Sequence, residues 1–174
     1  MSSVSLDLAL QIKKPAFYDP TSGLQLIELL NRAKLRSQEV IHSLFDFFEN
    51  NSLRIEDFER KEGSYSRTIL QRTDSGFEVM VARWDKGAVT PIHGHPDFAL
   101  IYIIKGALKE TLYAKDGTTI RKELTTIHRP GEYTYHHGIK GRLDNAIHQV
   151  QAMRDSLSLH LYSDDALKGE VFTN

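Results

Sequence analysis

Residues 87–106 read GAVTPIHGHPDFALIYIIKG, and the character of the whole chain follows from them. Gly87 closes the turn signal Asp85-Lys86-Gly87, and Lys105-Gly106 forms the next. Between them, Phe98 to Lys105 is a short apolar run rich in β-favouring residues, the mark of a buried strand. His93 and His95 stand two apart. On an extended strand alternate residues share a face, so both imidazoles are expected on one side, near enough to share a cation.

The same grammar continues on both sides. Before this stretch lie SYSRTILQ (64–71) and GFEVMVARW (76–84). After it come ALKETLY (107–113), TIRKELTTI (119–127), EYTYH (132–136), AIHQVQ (146–151) and SLSLHLYS (156–163). Turn signals at 74–76, 85–87, 105–106, 115–117 and 129–131 separate several of these runs, a spacing that predicts an all-β barrel or sandwich. Upstream the period differs. Positions 1–20 lack periodicity and carry Pro15 and Pro20; Ser22 with Gln25 resembles a capping box opening a helix; and Ser37 precedes a broad apolar stripe over 38–49. A short third helix is expected around 54–60. The predicted organisation is mainly β, one domain over 1–174, with a helical segment at 1–62 and a β-barrel at 63–174. In SLSLHLYS, Leu157, Leu159 and Leu161 face opposite to Ser158, His160 and Tyr162. If the polar set lines the barrel, the helical stripe is the expected cover for the leucines.

Composition narrows the function. The chain has 174 residues, 40% hydrophobic and 26% charged, with a formal charge of −1 and no long stretch of one sign, which argues against nucleic-acid or polybasic membrane partners. No secretory signal or spanning segment of ~18 apolar residues is visible, so a cytoplasmic protein is expected. There is no cysteine, hence no disulfide, thiolate ligand or cysteine nucleophile. Seven of the eight histidines lie between positions 93 and 160. His148, in a strand-like run after a turn, is the expected third partner of His93 and His95, whereas His128, His136 and His137 read as ordinary polar positions beside turns.

These residues carry a resemblance. Gly87, five residues, His93-Gly94-His95, three residues, position 99, six residues and Gly106 resembles the first motif of the cupins, whose fold is a double-stranded β-helix barrel, jelly-roll-like. Where most cupins carry a glutamate ligand, this chain has Ala99. That departure resembles the cysteine dioxygenase branch, the thiol dioxygenases, which bind non-haem Fe(II) with three histidines and no carboxylate. The stretch 105–113 and Trp84 resemble that branch, SLHLYS at 158–163 is similar to the segment bearing its Ser-His-Tyr relay, and Tyr65-Ser66-Arg67 resembles its Tyr-x-Arg.

The resemblance implies Fe(II) on His93, His95 and His148. It implies a relay of Ser158, His160 and Tyr162, with Arg67 and Tyr65 on the substrate carboxylate. The implied reaction is oxidation of L-cysteine by O2 to cysteine sulfinic acid. Other readings are the same chemistry on 3-mercaptopropionate or another small thiol, or a non-catalytic metal- or ligand-binding cupin. Members acting on mercaptopropionate favour a glutamine two residues beyond the arginine, where this chain has Ile69, which tilts toward an amino-acid thiol. The thioether crosslink between a cysteine and the tyrosine of the mammalian enzymes is impossible in a chain without cysteine. Three imidazoles also suit zinc, nickel or copper.

Overall fold

In a computed structural model of the chain, residues 53–72 and 78–173 are described. The chain divides at Phe58 into two compact units. In the first, the described residues form one 3-10 turn, Ile55–Asp57, so the short helix expected around 54–60 is a single turn. Arg54 at its N-cap makes no side-chain capping bond and Phe58 is already extended, which leaves a costly nucleus nothing to propagate into. The arm and the helices expected upstream, with their proposed cover for the leucines, lie outside the described residues.

The described residues of the second unit hold ten strands: β1 Tyr65–Arg72, β2 Glu78–Trp84, β3 Ile92–His95, β4 Phe98–Lys105, β5 Leu108–Asp116, β6 Thr119–His128, β7 Tyr133–His137, β8 Asn145–Ala152, β9 Ser156–Tyr162 and β10 Val171–Phe172. They pair antiparallel in two five-stranded sheets, ordered β1-β2-β9-β4-β7 and β10-β3-β8-β5-β6. All eight strand-like runs of the sequence are strands. The two-residue β10 is too short to leave a periodicity, and the four-residue β3 is announced only by the spacing of its histidines. Among the described residues no helix is long and apolar enough to cross a membrane.

The sheets meet through a core of Ala82, Trp84, Ile101 and Ile103 from the first and Leu108, Val150 and Ala152 from the second. Strand register then fixes which polar residues face inward beside them. Across the first sheet, Arg67 lies opposite Ala82 and Ala82 opposite Ser158; Ile69, Met80, His160 and Ile101 form the next level. Glu78, Tyr162, Ala99 and His136 form the one after. β9 is buried at all seven positions, so its leucine face is covered as well as its polar one.

Two glycines permit close backbone approaches. A Cβ on Gly94 would stand 2.5 Å from the Leu143 carbonyl oxygen and 2.6 Å from the Asp144 Cα, so only glycine fits between the two histidines of β3. Gly106, at φ +88°, turns β4 into β5, and a Cβ there would collide with the Asp155 carbonyl and Ser156.

Candidate active site

β3 and β8 bring three imidazoles together. His93 lies directly opposite His148, and the ladder shifts between His93 and His95. Ring centroids are 4.5–4.8 Å apart in all three pairings, with the rings edge to face, and one nitrogen from each lies within 4.8 Å of the others. Two of the rings have their Nδ1 engaged elsewhere. His93 Nδ1 donates to the Pro91 carbonyl at 3.0 Å, and His148 Nδ1 donates to Glu110 Oε1 at 2.6 Å. Their Nε2 atoms are therefore turned to the cluster, where His148 Nε2 is hydrogen-bonded to His95 Nε2 at 2.8 Å. His95 Nδ1 is buried without a hydrogen-bond partner.

His95 Nε2–H can donate to His148 Nε2, but His95 Nδ1 is then a buried lone pair with no partner, so the set is not satisfied by its own hydrogen bonds, and three ring nitrogens this close can meet around a cation. The residues fit one. Burial, then the neighbouring His148, lowers His93 to about 4 and holds His95 well below the usual imidazole range. Both rings are neutral and ligand-competent near pH 7.

The facing wall comes from β1, β2 and β9. Trp84 Nε1 donates to Ser158 Oγ at 2.9 Å, Ser158 Oγ is 2.7 Å from His160 Nε2, and His160 Nδ1 is 2.8 Å from the Tyr162 hydroxyl. The indole only donates, so Ser158 must accept from it. If His160 Nε2 also donated to Ser158, the serine proton would be stranded in a fully buried site. The row therefore runs Trp84 to Ser158 to His160 to Tyr162, and the phenolic proton at its end is left for the cavity. Burial lowers His160 to about 3 and pushes the Tyr162 phenol up, so the imidazole is neutral and the phenol protonated. The Tyr162 ring stacks on His95 at 5.2 Å, joining the two walls.

Arg67 and Tyr65 stand on the same wall. Arg67 Nη2 donates to Glu78 Oε1 at 2.8 Å and its Nε lies 3.0 Å from the Met80 sulfur. Glu78 is fully buried, and its second oxygen is taken by Arg72, which also pairs with Asp165, so one carboxylate fixes two guanidiniums. Tyr65 stacks on Trp84 at 4.6 Å. The walls enclose a cavity of about 120 Å³ lined by Tyr65, Arg67, Trp84, His93, His148, His160 and Tyr162. Six of the eight site residues named from sequence thus line one cavity, and a seventh, Ser158, bonds to His160. The eighth, His95, bonds to His148 and stacks on Tyr162. Asp97, two residues beyond His95, accepts a hydrogen bond from Ser163.

Glu110 is the residue that sequence reasoning lacks, and His128 and His136 bond to it. Glu110 is 4% exposed and is reached by three rings: His148, His128 Nε2 at 2.9 Å and His136 Nε2 at 3.4 Å. Burial opposes its ionisation, and the three imidazole bonds outweigh that, holding the carboxyl far below the usual range. A signal existed: in ALKETLY, Glu110 interrupts the face shared by Leu108 and Leu112. His128 and His136 are therefore partners of a buried carboxylate, whereas His137 is exposed, as expected of a residue beside a turn.

Comparison with known proteins agrees with this geometry. The family described as cysteine dioxygenase type I matches residues 12–168. Cysteine dioxygenase type 1 of Bos taurus is 27% identical over 132 residues, covering 72% of this chain and 64% of the bovine one. That of Rattus norvegicus is 31% identical over 106 residues, covering 57% of this chain and 50% of the rat one. The chain thus spans between half and two thirds of the length of these relatives. A cupin superfamily protein from Desulfitobacterium hafniense superposes with a TM-score of 0.50 at 14% identity, covering 64% of this chain and 87% of that one, which shows the cupin fold.

Proposed function

Because the chain belongs to the cysteine dioxygenase type I family, we propose that it oxidises the thiol of L-cysteine with O2 to cysteine sulfinic acid, using Fe(II). The observation that carries this reading is a single cavity with His93 and His148 on one wall, His95 closing their cluster, and a fixed guanidinium and a protonated phenol on the other. Both oxygen atoms enter the product and the sulfur supplies the electrons, so no separate reductant is needed. Held by His93, His95 and His148, Fe(II) would keep its full charge, favour the thiolate over the thiol and activate dioxygen beside it.

The remaining work belongs to the chain. Arg67 binds the substrate carboxylate: its fork is held by Glu78 and Met80 and so is aimed before the substrate arrives. Tyr65, stacked on Trp84 beside it, adds a hydroxyl to the same end of the cavity. Tyr162 directs its phenolic proton into the cavity, where it stabilises the negative charge that oxygen transfer places on the sulfinate. His160 and Ser158 keep that proton pointing inward. The apolar side chains of Ile101 and Val150 on the lining limit water around the reacting sulfur.

An amino-acid thiol is favoured over 3-mercaptopropionate because Ile69 packs against Met80, Ala99 and Tyr162 and presents no amide to the site. Anaerobic reconstitution with Fe(II), followed by oxygen uptake with cysteine, 3-mercaptopropionate, cysteamine or no thiol, tests the reading. Cysteine is expected to give the highest kcat/KM and a product heavier by two oxygen atoms. Faster turnover of 3-mercaptopropionate would move the substrate, and uptake that ignores every thiol would leave a metal-binding cupin without turnover.

A further inference from the structure

Glu110 lies on the Nδ1 side of His148, away from the Nε2 atoms of the cluster, and makes the shortest contact of the site's histidines, 2.6 Å to His148 Nδ1. Its place is set by strand register. On β5 it lies opposite Val150 of β8, one same-face position from Leu112, which is the residue opposite His148. On the other side it lies opposite Thr126 of β6, diagonal to His128. His136 arrives from β7 in the other sheet, where it pairs with Ala99. One carboxylate therefore ties β5, β6, β7 and β8 together, and three ring nitrogens converge on its two oxygens.

We propose that Glu110 is a positioning residue for the metal centre: it accepts the His148 Nδ1 proton, locks the ring in the tautomer that offers Nε2, and is itself clamped by His128 and His136. This rests on His148 being a metal ligand. The physical gain is twofold. A ligating imidazole whose second nitrogen donates to a carboxylate is fixed in orientation and more basic. Three neutral imidazoles also bring no negative charge to a dication, and Glu110 supplies one a single hydrogen bond away, without filling a coordination position needed by substrate. The clamp explains the crowding around Glu110, since a carboxylate bonded to His148 alone would be free to rotate.

The test reads metal affinity and ring protonation. Anaerobic titration with Fe(II) against a chromophoric chelator is expected to give one ion per chain for the wild type and, for Glu110→Gln, affinity roughly 10- to 100-fold weaker. The glutamine keeps the size of the side chain and removes its charge. In metal-free wild-type protein labelled with 15N-histidine, His148 is expected to carry its proton on Nδ1, in a strong hydrogen bond. This second measurement needs no variant and decides the matter if Glu110→Gln does not fold.

Three results would overturn the proposal. Folded Glu110→Gln that binds Fe(II) within twofold of the parent would make Glu110 a structural anchor. A His148 proton on Nε2 would reverse the lock. A second divalent ion that disappears in Glu110→Gln would make Glu110 a ligand. His148→Ala separates this proposal from the reading beneath it: metal binding lost there but unchanged in Glu110→Gln refutes only the positioning role, whereas binding kept in both refutes the ligand set.

Discussion

The two sheets face the same cavity and are built by different rules. The polar row of the first is local: Ser158, His160 and Tyr162 are alternate residues of one fully buried strand, and Trp84, at the end of the neighbouring β2, heads it. The imidazole cluster of the second is assembled from distance: β3, β8 and β5 contribute, and β6 and β7 reach in to complete it. A row on one strand sets the direction of a proton because each member touches only the next. A cluster gathered from several strands sets a geometry, because each ring is held by a different partner. On the function proposed above, the first sheet would handle substrate and proton, and the second the cation.

The sharpest way to break that division is to remove a ligand. Alanine at His93, His95 or His148 is expected to abolish stoichiometric Fe(II) binding, measured by anaerobic titration, while alanine at the exposed His137 leaves it intact. Stoichiometric binding in His93→Ala would hand the centre to Glu110, His136 and His148, the other group of donors able to meet around one ion among the described residues.

Next in size is the loss of the phenolic hydroxyl. Tyr162→Phe keeps the ring stacked on His95 and is expected to bind Fe(II) normally while kcat falls by ~10²–10⁴-fold, the range of a lost acid–base group. Because His160 acts only through Tyr162, the double variant with His160→Ala should cost far less than the product of the two single losses. Independent, multiplying losses would mean that the row is not one device.

The division also explains what could be read in advance. Alternation on a strand is written in adjacent letters, so SLHLYS disclosed its row, and His93-Gly94-His95 disclosed a shared face. The eight strands followed from turn signals and period. Glu110 was legible only as a charge in an apolar register, because its three partners lie 18, 26 and 38 residues away and arrive through antiparallel pairings that no local pattern encodes. The ion pair of Arg67 with Glu78 has the same character: the residues are joined across β1 and β2, and nothing in YSR shows that the arginine is already held.

That ion pair sets the third expectation. Arg67→Ala removes a charge-assisted contact to the substrate carboxylate, worth ~1.5–3 kcal/mol, so KM for cysteine should rise roughly 10- to 100-fold. Glu78 would keep Arg72, so the first sheet should remain folded and Fe(II) affinity should not change. A fall in metal affinity equal to the rise in KM would show that the walls are not separable.

The smallest effect is in the pH dependence of stability, and it too divides between the sheets. His160 on the first sheet is held at about 3 and His93 on the second at about 4, both by burial first, against 6.5 for an ordinary imidazole. Between those values the unfolded chain binds protons that the folded chain refuses. Their contribution to stability is therefore complete above pH 6.5, declines as pH falls below it, and is lost through about 4 for His93 and about 3 for His160. Each ring steepens the decline by at most about 1.4 kcal/mol per pH unit. Urea unfolding of the metal-free protein at pH 7, 5.5 and 4.5 should show this slope. His160→Asn, although less stable at pH 7, should show a shallower one, and His137→Ala should show the parent's. Adding Fe(II) discriminates the walls further, because protons must then displace the ion from the second sheet while His160 titrates as before. A slope unchanged by His160→Asn would mean that the imidazole takes up its proton as readily in the fold as in the unfolded chain, and burial would not be what holds it neutral.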